Sequence, residues 1–158
     1  MNKLLLITLV VFCQSAFAFD YSAYPLQDID KFVDEERPKF SETGGVEIIM
    51  PSKKIGFDAI VDKQPQKCDT AYFLRIMKAA GYKQESLPPI NTCLKLRSAR
   101  GDTIPAYVQD AIGESLSKEL KVNDKARFYV MYIYFDNKYK TPFFLINDFE
   151  SAPDGTPP

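Results

Sequence analysis

Arg127-Phe-Tyr-Val-Met-Tyr-Ile-Tyr-Phe135 decides the fold. Every residue after Arg127 in this stretch is apolar or aromatic. In an extended chain successive side chains point to opposite faces. Tyr129, Met131, Ile133 and Phe135 therefore share one side, and Phe128, Val130, Tyr132 and Tyr134 the other. A strand that is apolar on both sides belongs in the middle of a sheet covered on both. Tyrosine hydroxyls require water or a partner. The first side is thus expected to line the core, and the second to be partly wet.

Working outward, Asp136-Asn-Lys-Tyr-Lys140 is the tip of a hairpin, and residues 141–149 return as the last strand. Before the aromatic strand, Gln109-Asp110 opens a helix that runs to about Lys121. Ile112, Leu116 and Leu120 share its core face, and Lys118 and Lys121 suit its negative end. Residues 90–97 and 103–108 form a further hairpin around Arg100-Gly101-Asp102. Cys68-Asp69-Thr70 opens an earlier helix, with Asp69 or Thr70 as cap and Gly81 as terminator. Its buried stripe is Tyr72, Phe73, Ile76, Met77 and Ala80. Ser86-Leu-Pro-Pro89 is an extended connector. Residues 46–50 and 55–61 read as two strands separated by a turn at Pro51-Ser-Lys-Lys54, and 62–67 as a polar link. Ser41 to Gly45 reads as a loop. The first helix starts at Pro25 and carries Leu26, Ile29, Phe32 and Val33 on one face until Pro38 stops it. Such a helix either packs on the core edge or docks on a partner.

The result is one α+β domain over residues 19–150, with an N-terminal helix and a helical insertion. From residue 54 onward, with the insertion set aside, the order is β-β-β-α-β-β. That order predicts a small antiparallel β-barrel or a strongly curved sheet. It resembles the oligonucleotide/oligosaccharide-binding (OB) barrel, which carries a helix between its third and fourth strands. The resemblance covers about residues 54–149 and rests on element order, which SH3-like and open sheets share in part. It implies a binding face on the second and third strands, flanked by residues 62–89 and 136–141. That face would gather Lys95, Arg97, Arg100, Tyr107, Lys138, Tyr139 and Lys140.

At the N-terminus, Lys3 precedes an apolar run from Leu4 to Phe12, and Ala16-Phe17-Ala18 follows. This is the pattern of a secretory signal peptide over residues 1–18, cut before Phe19. Phe12 in front of Cys13 does not suit a lipid-attachment site. The predicted destination is the periplasm, or release from the cell, with no stable membrane anchor after cleavage. Cys68 and Cys93 remain, and an even pair in an exported chain reads as a disulfide. Residues 151–158, rich in proline, read as a disordered tail.

The chain has 20 Lys and Arg against 21 Asp and Glu. It lacks the basic excess that nucleic-acid binding uses. With no histidine, Ser-His-Asp, Cys-His and His-bearing metal sites are excluded. No C-x-x-C, phosphate-binding glycine loop or calcium-loop spacing is present. The acid pairs Asp28/Asp30 and Asp148/Glu150 are what 21 acids produce by chance. Ser115, Ser117 and Lys118 are ordinary helix neighbours. The expectation is a non-enzymatic protein without cofactor or metal. Nine Tyr and twelve Phe favour an interaction surface. The expected partner is another envelope or secreted protein, with an inhibitor, immunity-type or accessory role. The alternative is a small-ligand or glycan-binding barrel, and after it a carboxylate-based hydrolase.

Overall fold

The computed structural model describes residues 19–37 and 45–151. Five strands close a barrel: β1 (Val46–Lys67), β2 (Thr92–Arg97), β3 (Thr103–Val108), β4 (Lys125–Asp136) and β5 (Thr141–Ser151). Around the barrel the order is β1-β2-β3-β5-β4. Three helices accompany them: α1 (Ile29–Glu36), α2 (Ala71–Ala79) and α3 (Asp110–Glu119). Helix α3 connects β3 to β4, and α2 lies in the β1–β2 connection, so the strand order is OB-like.

The barrel is mixed, whereas an antiparallel one was expected. Five strands in a closed ring cannot alternate direction all the way round, so one adjacent pair must run parallel. That pair is β3 and β5, joined over Ala106–Val108 and Phe144–Ile146. Their earlier halves carry Pro105 and Pro142, which have no N–H to give a ladder.

The greatest departure from the sequence reading is β1. It is a single strand of 22 residues. Pro51 to Lys54 make no turn, because both flanking pieces pair with β4. The register jumps between Ile48 (opposite Tyr134) and Lys53 (opposite Tyr132), so extra residues are taken up as a bulge. Residues 62–67 are not a link either. They pair with β2, through Val61 opposite Leu96, Lys63 opposite Lys95 and Gln66 opposite Cys93. A strand this long can serve β4 with its first part and β2 with its last, which closes the barrel.

The two faces of β4 are also reassigned. Phe128, Val130 and Tyr132 point into the barrel and are fully buried. They pack there with Phe57, Leu96, Phe144 and their neighbours. Helix α1 adds Ile29, Phe32 and Val33 to this core, and α3 adds Leu116 and Leu120. Tyr134 is dry like Tyr132, because the other side of β4 is covered as well. A bulge between Tyr132 and Tyr134 breaks the alternation, so Ile133 and Tyr134 both belong to a second core outside the barrel while Phe135 turns in. Phe73, Ile76 and Met77 of α2 form that second core with Tyr107, Tyr134 and Leu145.

The N-terminal segment differs from expectation too. Helix α1 begins at Ile29, and Asp28 caps it, its Oδ1 accepting from the N–H groups of Asp30 and Lys31 at 2.9 and 3.0 Å. Pro25 to Gln27 are extended instead. Gln27 N–H donates to Gly56 O at 2.8 Å, and Gly56 N–H to Pro25 O at 3.0 Å, a short parallel addition to the free edge of β1. At α2, Asp69 Oδ1 accepts from Ala71 N–H at 2.9 Å, and Gly81 takes φ +86° after the helix. The predicted leader, the stop at Pro38, the first four residues of the 41–45 loop and residues 152–158 lie outside the described residues. Strand β5 extends to Ser151.

Candidate functional site

The outer face of β2 carries Cys93, Lys95 and Arg97, alternating with buried Leu94 and Leu96. Cys93 is bonded to Cys68, which ties the chain leading into α2 to this strand. Across β3, Cys93 stands opposite Tyr107 and Lys95 opposite Pro105. Between the disulfide and β5 lies a small apolar groove of about 250 Å³, lined by Lys95, Pro105, Tyr107 and Phe143 among others.

On the β1 side, Lys95 stands directly opposite Lys63. Both lysines are exposed, and among the described residues neither forms an ion pair. Like charges directly opposite on paired strands repel. The face therefore holds two uncompensated ammonium groups beside an apolar groove. Lys63 escaped the sequence reading because its segment reads as a polar link. Only its pairing with β2 places it here.

The seven residues expected at one site are divided by the fold. Lys95 and Arg97 share the outer face of β2, and Lys95 and Tyr107 share the groove. Arg97 Nη2 donates to Asn123 Oδ1 at 3.1 Å. Tyr107 is buried rather than offered to solvent. Its ring lies 4.6 Å from that of Phe73 on α2, and its hydroxyl is 3.3 Å from that of Tyr134. Burial pushes the Tyr107 phenol above its ordinary pKa.

Arg100 turns away to α1. Its Nη1 and Nη2 donate to Asp34 at 2.7 and 3.1 Å, and Nη2 and Nε donate to Asp102 at 3.1 and 3.3 Å. The hydrogen bonds from Arg100 hold the Asp34 carboxyl below the usual range, and Asp34 in turn raises the Arg100 guanidinium. Arg100 is thus a fastener of α1.

Lys138, Tyr139 and Lys140 sit on the β4–β5 turn. Asp136 Oδ1 accepts from the N–H groups of Lys138 and Tyr139 at 2.9 and 3.1 Å and shapes that turn. Tyr139 is 66% exposed, the most open large hydrophobic side chain among the described residues, and the Lys138 ammonium lies 5.1 Å from its ring. Tyr72 on α2 repeats the arrangement. It meets Tyr134 edge-on, and the Arg75 guanidinium is 5.4 Å from its ring.

Among the described residues no group of three or more Cys, Asp or Glu is placed to hold a metal ion. No described helix is long and apolar enough to cross a membrane. No family model and no curated protein matches this sequence.

Proposed function

We propose that the chain is an exported, non-enzymatic binding module that takes an acidic segment of another envelope or secreted protein. The carrying observation is the Lys63–Lys95 pair, held opposite each other beside an apolar groove and without an ion pair among the described residues. A carboxylate partner would relieve the repulsion, and an apolar side chain next to it would fill the groove. Helix α2 occupies the neighbouring part of the outer face through Phe73 on Tyr107, so the available surface centres on Lys95. Tyr139 and Tyr72, each with its cation, supply rigid amphipathic area of the kind found at interfaces. The leader-like residues 1–18 and the Cys68–Cys93 disulfide support an oxidising compartment, the periplasm in a Gram-negative cell. An inhibitor, immunity or accessory role fits such a module.

The test uses the oxidised mature chain with a photo-cross-linking side chain at Arg97, on the same outer face and leaving both lysines in place, expressed in its native envelope. One protein adduct is expected. The double variant K63E/K95E, cross-linked from Arg97, should lose it while melting at an unchanged temperature. No adduct, or one indifferent to the charge reversal, would overturn the reading. The same groove also favours a small acidic ligand or glycan fragment as a second reading. That ligand would raise the melting temperature of the isolated protein in a salt-sensitive manner.

A further inference from the structure

A second groove, of about 590 Å³, lies where the N-terminal segment meets the barrel. This falls within the range of about 300–1,000 Å³ typical of small-ligand sites. Its geometry follows from the edges of β1. Gly56 spends its N–H and C=O on Pro25 and Gln27, away from β4. Ile60 is the first β1 residue paired with β2. Backbone groups alternate sides along a strand, and no register shift intervenes between Gly56 and Ile60 in the pairing with β4. The N–H and C=O of Asp58 therefore point the same way as those of Gly56 and Ile60. They open into the gap between the N-terminal segment and β2. The pairing of β1 with β2 reaches only as far as Ile60, and no backbone hydrogen bond from a described residue outside the strands reaches Asp58.

The walls of this gap carry opposite charges. On the α1 side stand Asp28 and Asp30, and on the β4 side Lys125 and Arg127. Asp30 Oδ2 accepts from Arg100 N–H at 3.1 Å, while its Oδ1 makes no hydrogen bond among the described residues and lies 3.7 Å from Arg100 Nε. Arg127 is engaged by Asp58 at 2.8 Å, whereas Lys125 forms no ion pair among the described residues. Leu26, Ile60 and Ala99 supply apolar surface. A backbone donor and acceptor on a strand edge that neither β2 nor the N-terminal bridge covers, an acidic wall, a cationic wall and apolar surface between them define one ligand chemistry.

We propose that this gap binds a short zwitterionic peptide in extended form. One residue of the peptide completes the ladder at Asp58. The peptide's ammonium faces Asp28 and Asp30, its carboxylate faces Lys125, and an apolar side chain covers Leu26 and Ile60. The site shares no residue with the Lys63–Lys95 face, so each can stand or fall alone.

The probe is the dipeptide Leu-Leu, titrated into the ¹⁵N-labelled mature protein and followed by amide resonances. The Asp58 and Ala99 amides should shift saturably, at up to about ten millimolar peptide, a range that covers weak single-site binding. N-acetyl-Leu-Leu-amide, which lacks both charges, should bind several-fold more weakly. K125Q should weaken Leu-Leu by a similar factor and leave the rest of the spectrum in place. A dispersed spectrum in which Asp58 does not move would overturn the proposal. Equal binding of the uncharged analogue would overturn it as well.

Discussion

At Gly56 a single missing methyl group lets two parts of the chain meet. A Cβ there would lie 2.7 Å from Leu26 Cδ2, 3.3 Å from Tyr24 O and 3.4 Å from Tyr129 Cδ1. Leu26 is exposed and can rotate, but the Tyr24 carbonyl is backbone and is held by its neighbours. Tyr24 itself is buried, with its hydroxyl accepting from Asn147 Nδ2 at 3.0 Å and its ring 5.9 Å from that of Tyr129. Tyr129 is fixed in turn by a 2.5 Å hydrogen bond to Glu150. Gly56→Ala should therefore lift the N-terminal segment, at a cost of about 1–3 kcal/mol, the usual range for overpacking. Urea unfolding measures the loss. Faster exchange of the Gln27 amide, with the β4 amides still protected, locates it. A glycine inside an apparent strand already suggests a close backbone approach. What the sequence concealed was the approaching partner, because Pro25 reads as the start of a helix. Asp28 caps the helix better, and Pro25 and Gln27 find bonds on β1.

At the scale of elements, α2 depends on both its apolar stripe and its tether. The Cys68–Cys93 bond joins residues 25 apart in sequence and fixes the start of α2 over the outer faces of β3, β4 and β5. In the chain-entropy view a loop of this length contributes about 3.5 kcal/mol. The double variant C68S/C93S should lose about that much in urea unfolding. Its α2 amides should exchange faster than those of β4, since Phe73, Ile76 and Met77 still pack but no longer on a tethered helix. Uniform acceleration across the barrel would show instead that α2 and the barrel unfold as one unit. The tether and the helix were legible from the even cysteines and the i, i+3, i+4 spacing. The continuity of β1 was not. Pro51 and the charged 62–67 segment look like strand breakers. In the fold, Pro51 falls in the bulge between Ile48 and Lys53, where the ladder is already interrupted, and Lys63 faces water. The long strand was hidden, and with it the position of Lys63 opposite Lys95.

Across the whole molecule, strand order was legible because hydrophobic runs and turn residues are local signals. The site was legible only in part, because it depends on which outer faces remain open. Tyr107 and Tyr139 look alike in sequence, yet one is covered by α2 and the other stands on a turn. Tyrosine burial has a global consequence. Tyr24, Tyr107, Tyr129, Tyr132 and Tyr134 all have raised pKa values, with burial as the leading cause, and Tyr129 is pushed up to about 12. The unfolded chain titrates its tyrosines near 10. A folded pKa above the unfolded one means that the neutral phenol is the form the fold holds. That stabilisation is complete below about pH 10 and is lost as pH rises, through about 12 for Tyr129. Stability should therefore fall steeply above about pH 10, and several phenols should ionise only as the barrel opens. Tyrosinate absorbance and far-ultraviolet circular dichroism, followed together against pH, test this. The buried fraction of the absorbance should appear in step with the loss of dichroism. If all nine tyrosines ionise near pH 10 while the dichroism is intact, water reaches Tyr132 and Tyr134, and the two dry cores on either side of β4 are wrong.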